Sequence, residues 1–136
     1  MEQAHRSGKR KEAVARTTIR QGKGVVRINS MLFDNYTPRL VRERVRQPLM
    51  IADGIVDLSK VDISVVASGG GVMGQGDAIA SSLARGLVEY SGSDELRDRY
   101  VKYDRTLIAG DHRETEVHKP GQSSKGPRHK RQKSYR

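Results

Sequence analysis

Apolar and polar residues alternate from Ala13 to Ile19, with Ala13, Ala15, Thr17 and Ile19 on one side and Val14, Arg16, Thr18 and Arg20 on the other. A period of two belongs to a strand with one face buried. Gly22 and Gly24 punctuate a loop, after which Val25 to Ile28 form a second short strand, expected to close a hairpin with the first. Asn29-Ser30 turns the chain into Met31-Leu32-Phe33, a third short strand. The alternation returns over Val61 to Ala67, where Val61, Ile63, Val65 and Ala67 should point to the core.

Elsewhere the pattern is helical. Thr37-Pro38 suits a helix start, because Thr can cap free amides and Pro in the first turn loses no hydrogen bond. That helix should reach about Gln47 and end or kink at Pro48. A glycine-rich loop, Ser68 to Gly76, precedes an amphipathic helix from about Asp77 to Tyr90, with Ile79, Leu83 and Leu87 at four-residue steps and Ala80, Ala84 and Val88 beside them. Gly86 costs that helix up to about 1 kcal/mol relative to Ala, so a neighbouring backbone is expected close to it. Ser93 and Asp94 can cap a short helix from Glu95 to about Tyr103. Asp111 to His118 reads as extended, and beyond Lys119 no periodicity survives. The elements describe an α+β domain over 1–118 followed by an extended segment, 119–136. No repeat of solenoid length interrupts it.

Composition adds that the core is lean, with 35% hydrophobic residues and no Trp. A domain of this size still buries about two-thirds of the surface its unfolded chain exposes. The absence of Cys excludes disulfides and thiolate metal sites and suits a reducing cytoplasm. No apolar run approaches the 18 or so residues of a membrane span, and the first residues lack the apolar stretch of a secretory signal, so neither a membrane nor an export route is expected.

Charge changes the picture most. The net charge is +10, but residues 1–24 hold 7 Lys+Arg against 2 Asp+Glu, residues 119–136 hold 7 against none, and residues 25–118 hold 12 against 14. Blocks of like charge resist folding alone and commonly neutralise a polyanion. Fully extended, the final 18 residues reach roughly 60 Å. If their seven charges met single-stranded phosphates, log affinity would fall with log salt at a slope of about −5. Arg39, Arg42 and Arg46 share one face of the first helix, a stripe that fits an RNA contact or a solvated outer face equally well.

Gly69 to Gly74 matches G-x-G-x-x-G after a strand, with Asp94 twenty residues beyond. A dinucleotide site needs a second parallel strand ending at that acid. Ser91 to Tyr103 is helical in pattern, with Asp94 placed as a cap. Gln75-Gly76 stands where a Walker loop needs Lys-Ser/Thr. The loop is left with two readings that can coexist: a tight turn requiring residues without Cβ, and bare amides at a helix start approaching an RNA phosphate. Catalysis finds no Cys nucleophile and no serine elbow. His5, His112, His118 and His129 lack the i, i+4 spacing of a zinc site. Neither an enzyme, nor a cofactor, nor a small-molecule substrate is expected. A free RNA-binding protein or chaperone would use such charged ends.

In order and spacing, the chain resembles one family. Gly8-Lys9-Arg10-Lys11 precedes Ala13, Ala15 and Arg16; Asn29 and Pro48-Leu49 follow; then come Gly69-Gly70-Gly71, Gly74-Gln75, Ala78-Ile79 and Ala84-Arg85. The pattern closes with Asp111, Arg113, Glu116, Lys119-Pro120-Gly121 and Gln132-Lys133-Ser134-Tyr135-Arg136. These residues are similar to ribosomal protein nine of the small subunit in its archaeal or eukaryotic form. The resemblance implies a two-layer α/β sandwich with a mixed sheet and a left-handed βαβ crossover, as in the second domain of small-subunit ribosomal protein five. That crossover departs from the usual right-handed connection.

It also implies a cytoplasmic, ribosome-bound protein of the subunit head, with ribosomal RNA and neighbouring ribosomal proteins as partners and peptidyl-site transfer RNA at the tip of the C-terminal tail. Ribosomal RNA is expected at Lys9, Arg10, Lys11 and Arg16 near the start, at Gly70, Gly71 and Gln75 in the loop, and at Arg113 and Lys119. The tail adds Lys125, Arg128, Lys130 and Arg131 to that set. Lys133, Tyr135 and Arg136 are the expected transfer-RNA contacts. Two positions depart from the family pattern: bacterial relatives end in Ser-Lys-Arg where this chain has Ser134-Tyr135-Arg136, and Val117-His118 stands where basic residues are usual.

Overall fold

The computed structural model describes residues 3–115 and 117. Strands β1 (Gln3–Arg10), β2 (Ala13–Gln21), β3 (Val26–Ile28), β4 (Met31–Leu32) and β5 (Val61–Ser68) form one mixed sheet in the order β1-β2-β5-β3-β4. Helices α1 (Arg39–Ala52), α2 (Val72–Ser91), α3 (Asp94–Tyr103) and α4 (Thr106–Ala109) complete an α+β sandwich. Among the described residues no helix is long and apolar enough to cross a membrane.

The strand over Ala13 to Ile19 has the expected faces: Ala13, Ala15, Thr17 and Ile19 are all fully buried. The expected hairpin with Val25 to Ile28 does not form. Both edges of β2 are occupied, by β1 and by β5, each antiparallel. The β3 strand instead lies parallel to β5, with Val26 opposite Ile63 and Ile28 opposite Val65, so its apolar side chains still face the core. Reaching that parallel position requires a crossover, which α1 supplies. Asn29 and Ser30 both have positive φ, 49° and 68°, and form the turn into β4. The Asn29 side chain also accepts from the Ala67 amide at 2.8 Å, extending the β3–β5 ladder.

Strand β1 escapes the hydrophobic pattern because its core side is made of Ala4 and Gly8 rather than large apolar residues. The basic start of the chain is therefore part of the sheet. Small residues are needed there because α2 lies directly across β1. A Cβ on Gly8 would run into the Ala78 carbonyl and come within 2.6 Å of the Ser82 nitrogen.

Helix α1 continues through Pro48 to Ala52, five residues beyond the expected end at Gln47. The ring forfeits one intrahelical bond, but Pro48, Leu49 and Ala52 are buried, and the Tyr100 hydroxyl donates to the Pro48 carbonyl at 2.7 Å. Packing outweighs the lost bond. Pro38 is the residue preceding the helix, and Thr37 makes no cap contact. Helix α2 starts at Val72 rather than Asp77, so Gly74 and Gly76 lie inside it. Their missing side chains let the first turn approach Ala13 and Val41. The close approach at Gly86 is present, but the neighbour is a side chain, Ile19 of β2, not a backbone. Ser93 caps α3 by accepting from the Leu96 amide, as its position suggested. Segment 111–115 has no regular secondary structure and the rest of the expected extended stretch to His118 lies largely outside the described residues, whereas α4 has no sequence signature beyond the buried Leu107.

Candidate nucleic-acid interface

The β1–β2 turn, the β5–α2 loop and segment 110–115 converge at one end of the sheet. Arg10, Lys11, Gly70, Gly71, Gly74, Asp77 and Thr115 line a groove of about 560 Å³ there. The loop bends because Gly69 and Gly70 have φ of +75° and +60°, a region other residues rarely enter. The same two glycines press on the β1–β2 turn: a Cβ on Gly69 would lie 2.6 Å from the Glu12 carbonyl, and one on Gly70 2.9 Å from the Ala13 nitrogen. Both are accounted for by packing.

Gly71 is different, with a φ of −94° and nothing within 4 Å of a Cβ. It immediately precedes α2, where no side chain caps the first amides and Val72 and Met73 stand exposed. The Gln75 side chain donates to the Gly69 carbonyl at 3.0 Å and holds the loop in shape.

The expected RNA-binding cations at this end are not equally available. Arg10 pairs with Asp111 at 2.7 Å and with Asp77 at 3.7 Å. Asp77 in turn holds Arg44 at 2.9 Å, and Arg44 reaches Asp104 at 3.1 Å. Arg113 closes back onto Asp111 at 2.7 Å. Six alternating charges thus join α1, α2, β1 and the segment after α4. Hydrogen bonds from the Arg113 side chain and backbone, followed by the charge of Arg10, hold the Asp111 carboxyl far below the usual carboxylate range. This network fastens segment 110–115 beside the glycine loop. Lys9 meets Glu114 only at 3.5 Å across exposed side chains, and Lys11, at the tip of the β1–β2 turn, pairs with nothing among the described residues. Arg16 lies on the far face of the sheet.

The arginine stripe of α1 is largely spent within the protein. Arg42 donates to the Asp34 carbonyl; Arg46 pairs with Glu43 at 3.2 Å and sits over the Phe33 ring. Only Arg39 of the stripe is without such a contact among the described residues. Where a dinucleotide site would need a second strand, the chain runs directly from α2 into α3, with Asp94 as the first helical residue. Among the described residues no group of His or acidic side chains could hold a metal ion, and His5 bonds Thr18 at 2.8 Å. Lys119, Lys125, Arg128, Lys130, Arg131, Lys133, Tyr135 and Arg136 lie outside the described residues.

Residues 8–136 match the sequence profile of the family described as Ribosomal protein S9/S16. The chain belongs to that family. It is 42% identical to "Small ribosomal subunit protein uS9" of Methanococcus maripaludis strain C7 over 136 residues, covering all of both chains. Strain C5 matches equally well, and strain S2 at 41% over the same length. As a member of the S9 family the chain is a structural constituent of the small ribosomal subunit and not an enzyme. It is ribosome-bound in the cytoplasm, with ribosomal RNA and neighbouring ribosomal proteins as its partners.

Proposed function

We propose that this protein binds ribosomal RNA in the head of the small subunit and that its tail, residues 119–136, extends to the transfer RNA in the peptidyl site. The observation that carries the reading is the joining of two unlike parts. A segment pinned to the body by Asp111 leads into a stretch with seven cations and no acid. A fixed base gives a long polycation a defined starting direction, which lowers the entropy it loses on threading between RNA strands.

In this reading Lys119, Lys125, Arg128, Lys130 and Arg131 neutralise ribosomal RNA along the way, and Lys133, Tyr135 and Arg136 touch the transfer RNA. Lys9, Lys11 and the open amides after Gly71 meet RNA at the mouth of the groove. Gly70 and Gln75 serve the same contact by shaping the loop, while Arg10 and Arg113 anchor the segment that leads to the tail.

The test is a deletion of Lys125 to Arg136 in otherwise intact small subunits. Retention of peptidyl-site transfer RNA should fall, with the subunit still assembled. Equal retention at several salt concentrations would refute the transfer-RNA contact. Loss of the protein from subunits after a moderate salt wash, with the tail present, would refute the assembly role.

A further inference from the structure

We infer that the sheet face turned away from the helices is a second RNA-docking surface, which takes the sugar-phosphate backbone of a double-helical segment of ribosomal RNA. This rests on the ribosomal-RNA reading above and assigns it a separate face of the molecule.

The register places His5, Thr18, Ser64 and Arg27 in one row across β1, β2, β5 and β3, with Ser7, Arg16 and Val66 in the next row on one side and Gln3, Arg20 and Asp62 on the other. Among the described residues no helix covers this face, and Ser7, Arg16, Arg20, Arg27, Ser64 and Val66 are all exposed. What distinguishes it is that all of its described arginines are unspent and lie on one flat surface. On the helix side Arg6, Arg10, Arg42, Arg44, Arg46 and Arg85 each hold a carboxylate or a backbone carbonyl of this chain, and only the scattered Arg39, Arg97 and Arg105 do not. On the sheet side Arg16, Arg20 and Arg27 make no hydrogen bond or ion pair among the described residues.

Among the described residues of this face the single acid, Asp62, lies opposite Arg20 but is already engaged by the backbone. One of its oxygens accepts from the amides of Lys23 at 2.8 Å and Val25 at 3.0 Å, fixing the loop into β3. Arg20 and Arg27 flank a shallow groove of about 300 Å³ beside it.

The chemistry of the face selects its occupant. The described residues on it include no Phe, Tyr or Trp, and its one imidazole, His5, is tied to the Thr18 hydroxyl at 2.8 Å, so it offers little platform for stacking unpaired bases. It offers guanidinium groups and the hydroxyls of Ser7, Thr18 and Ser64, donors suited to phosphates and ribose hydroxyls on a duplex read by shape. At a rise of about 3.3 Å per residue, Arg16 and Arg20 start about 13 Å apart, and Arg27 stands two strands, about 9.6 Å, from Thr18 along their shared row. Each guanidinium therefore meets its own phosphate. The basic tail of this chain and a second copy of the same face are excluded as occupants by like charge.

The experiment titrates the full-length protein against small-subunit ribosomal RNA at a series of potassium chloride concentrations. A sheet variant, Arg16→Gln/Arg20→Gln/Arg27→Gln, is compared with a control of equal charge loss, Arg97→Gln/Lys102→Gln/Arg105→Gln on and after α3. All six side chains are exposed, and circular dichroism verifies both folds. Three lost phosphate contacts should reduce the steepness of log affinity against log salt by about 2 to 3 in the sheet variant only. Wild-type binding with an unchanged slope in the sheet variant overturns this inference while leaving the ribosomal-RNA reading intact. Failure of the wild type to bind overturns both. Normal RNA binding by the sheet variant combined with poor incorporation into subunits means that a protein neighbour occupies the face, and also overturns it.

Discussion

Replacing Gly8 with Ala tests how closely β1 and α2 are locked together. The added methyl group would overlap the Ala78 carbonyl and lie 2.6 Å from the Ser82 nitrogen and 3.2 Å from the Ser81 Cβ. Ordinary contact needs 3.4 to 4 Å, so β1 and α2 must separate by nearly 1 Å. Neither can yield alone, since β1 is hydrogen-bonded to β2 along its whole length and the middle of α2 is buried. Overpacking of this kind costs about 1–3 kcal/mol, and two backbone atoms in the way place Gly8→Ala at about 3. For a domain of this size that is a fall in melting temperature of roughly 8–15 °C.

Two other glycines calibrate the result. At Gly86 the obstacle is the tip of the Ile19 side chain at 2.9 Å, which can rotate, and Ala gains about 1 kcal/mol of helix propensity, so Gly86→Ala should stay within about 1 kcal/mol of wild type. At Gly71 nothing is met, and only the modest preference for Gly over Ala before a helix is lost, less than about 1 kcal/mol. Thermal and urea unfolding of the three variants should rank Gly8→Ala well below the others. A Gly8→Ala protein within about 0.5 kcal/mol of wild type, or less stable behaviour from Gly71→Ala, would refute the reasoning. Because Gly71→Ala keeps the fold, any drop in its affinity for ribosomal RNA reports on the groove itself.

Further outcomes follow from the hydrogen bonds. Ser82 Oγ donates to the Ile79 carbonyl, so the buried 2.7 Å contact with Thr17 must be a bond that Thr17 donates. Ser82→Ala should therefore strand a buried donor and cost about 1–3 kcal/mol, with much of the loss recovered in Thr17→Val/Ser82→Ala, as measured by urea unfolding. Burial holds the Tyr100 hydroxyl well above its ordinary value of 10.0. Tyr100 thus supports the fold below pH 10 and withdraws support as the unfolded chain ionises above it. Tyr100→Phe should lose about 1 kcal/mol at neutral pH and show a shallower decline in stability between pH 10 and 12. Asp111→Asn should weaken the protection of the Arg113 amide of segment 110–115, which donates to the Asp111 carboxylate at 2.9 Å, as read by hydrogen exchange. The folded carboxyl titrates below its ordinary 3.8, so wild-type protection of that amide should persist at pH 4 and fade only in stronger acid.

Strands that bury Val, Ile and Ala against polar partners were legible in the sequence, because alternation of side chains across a pleat is a local property. So were the core positions of α2, the Ser93 cap, the polycationic end and the family, whose motifs survive in linear order. The partner of β3 was not legible: whether a short apolar strand joins its sequence neighbour or a strand thirty-odd residues later depends on which sheet edge is vacant. Strand β1 was hidden because Ala4 and Gly8 mark a tight interface, not a large apolar one, and only the position of α2 reveals the need for them. Composition counted the cations equally; tertiary structure separated them. A guanidinium beside Asp111 or Asp77 is committed to the fold, whereas one on the uncovered sheet face keeps its donors for a partner, and only the arrangement of carboxylates in space decides between the two.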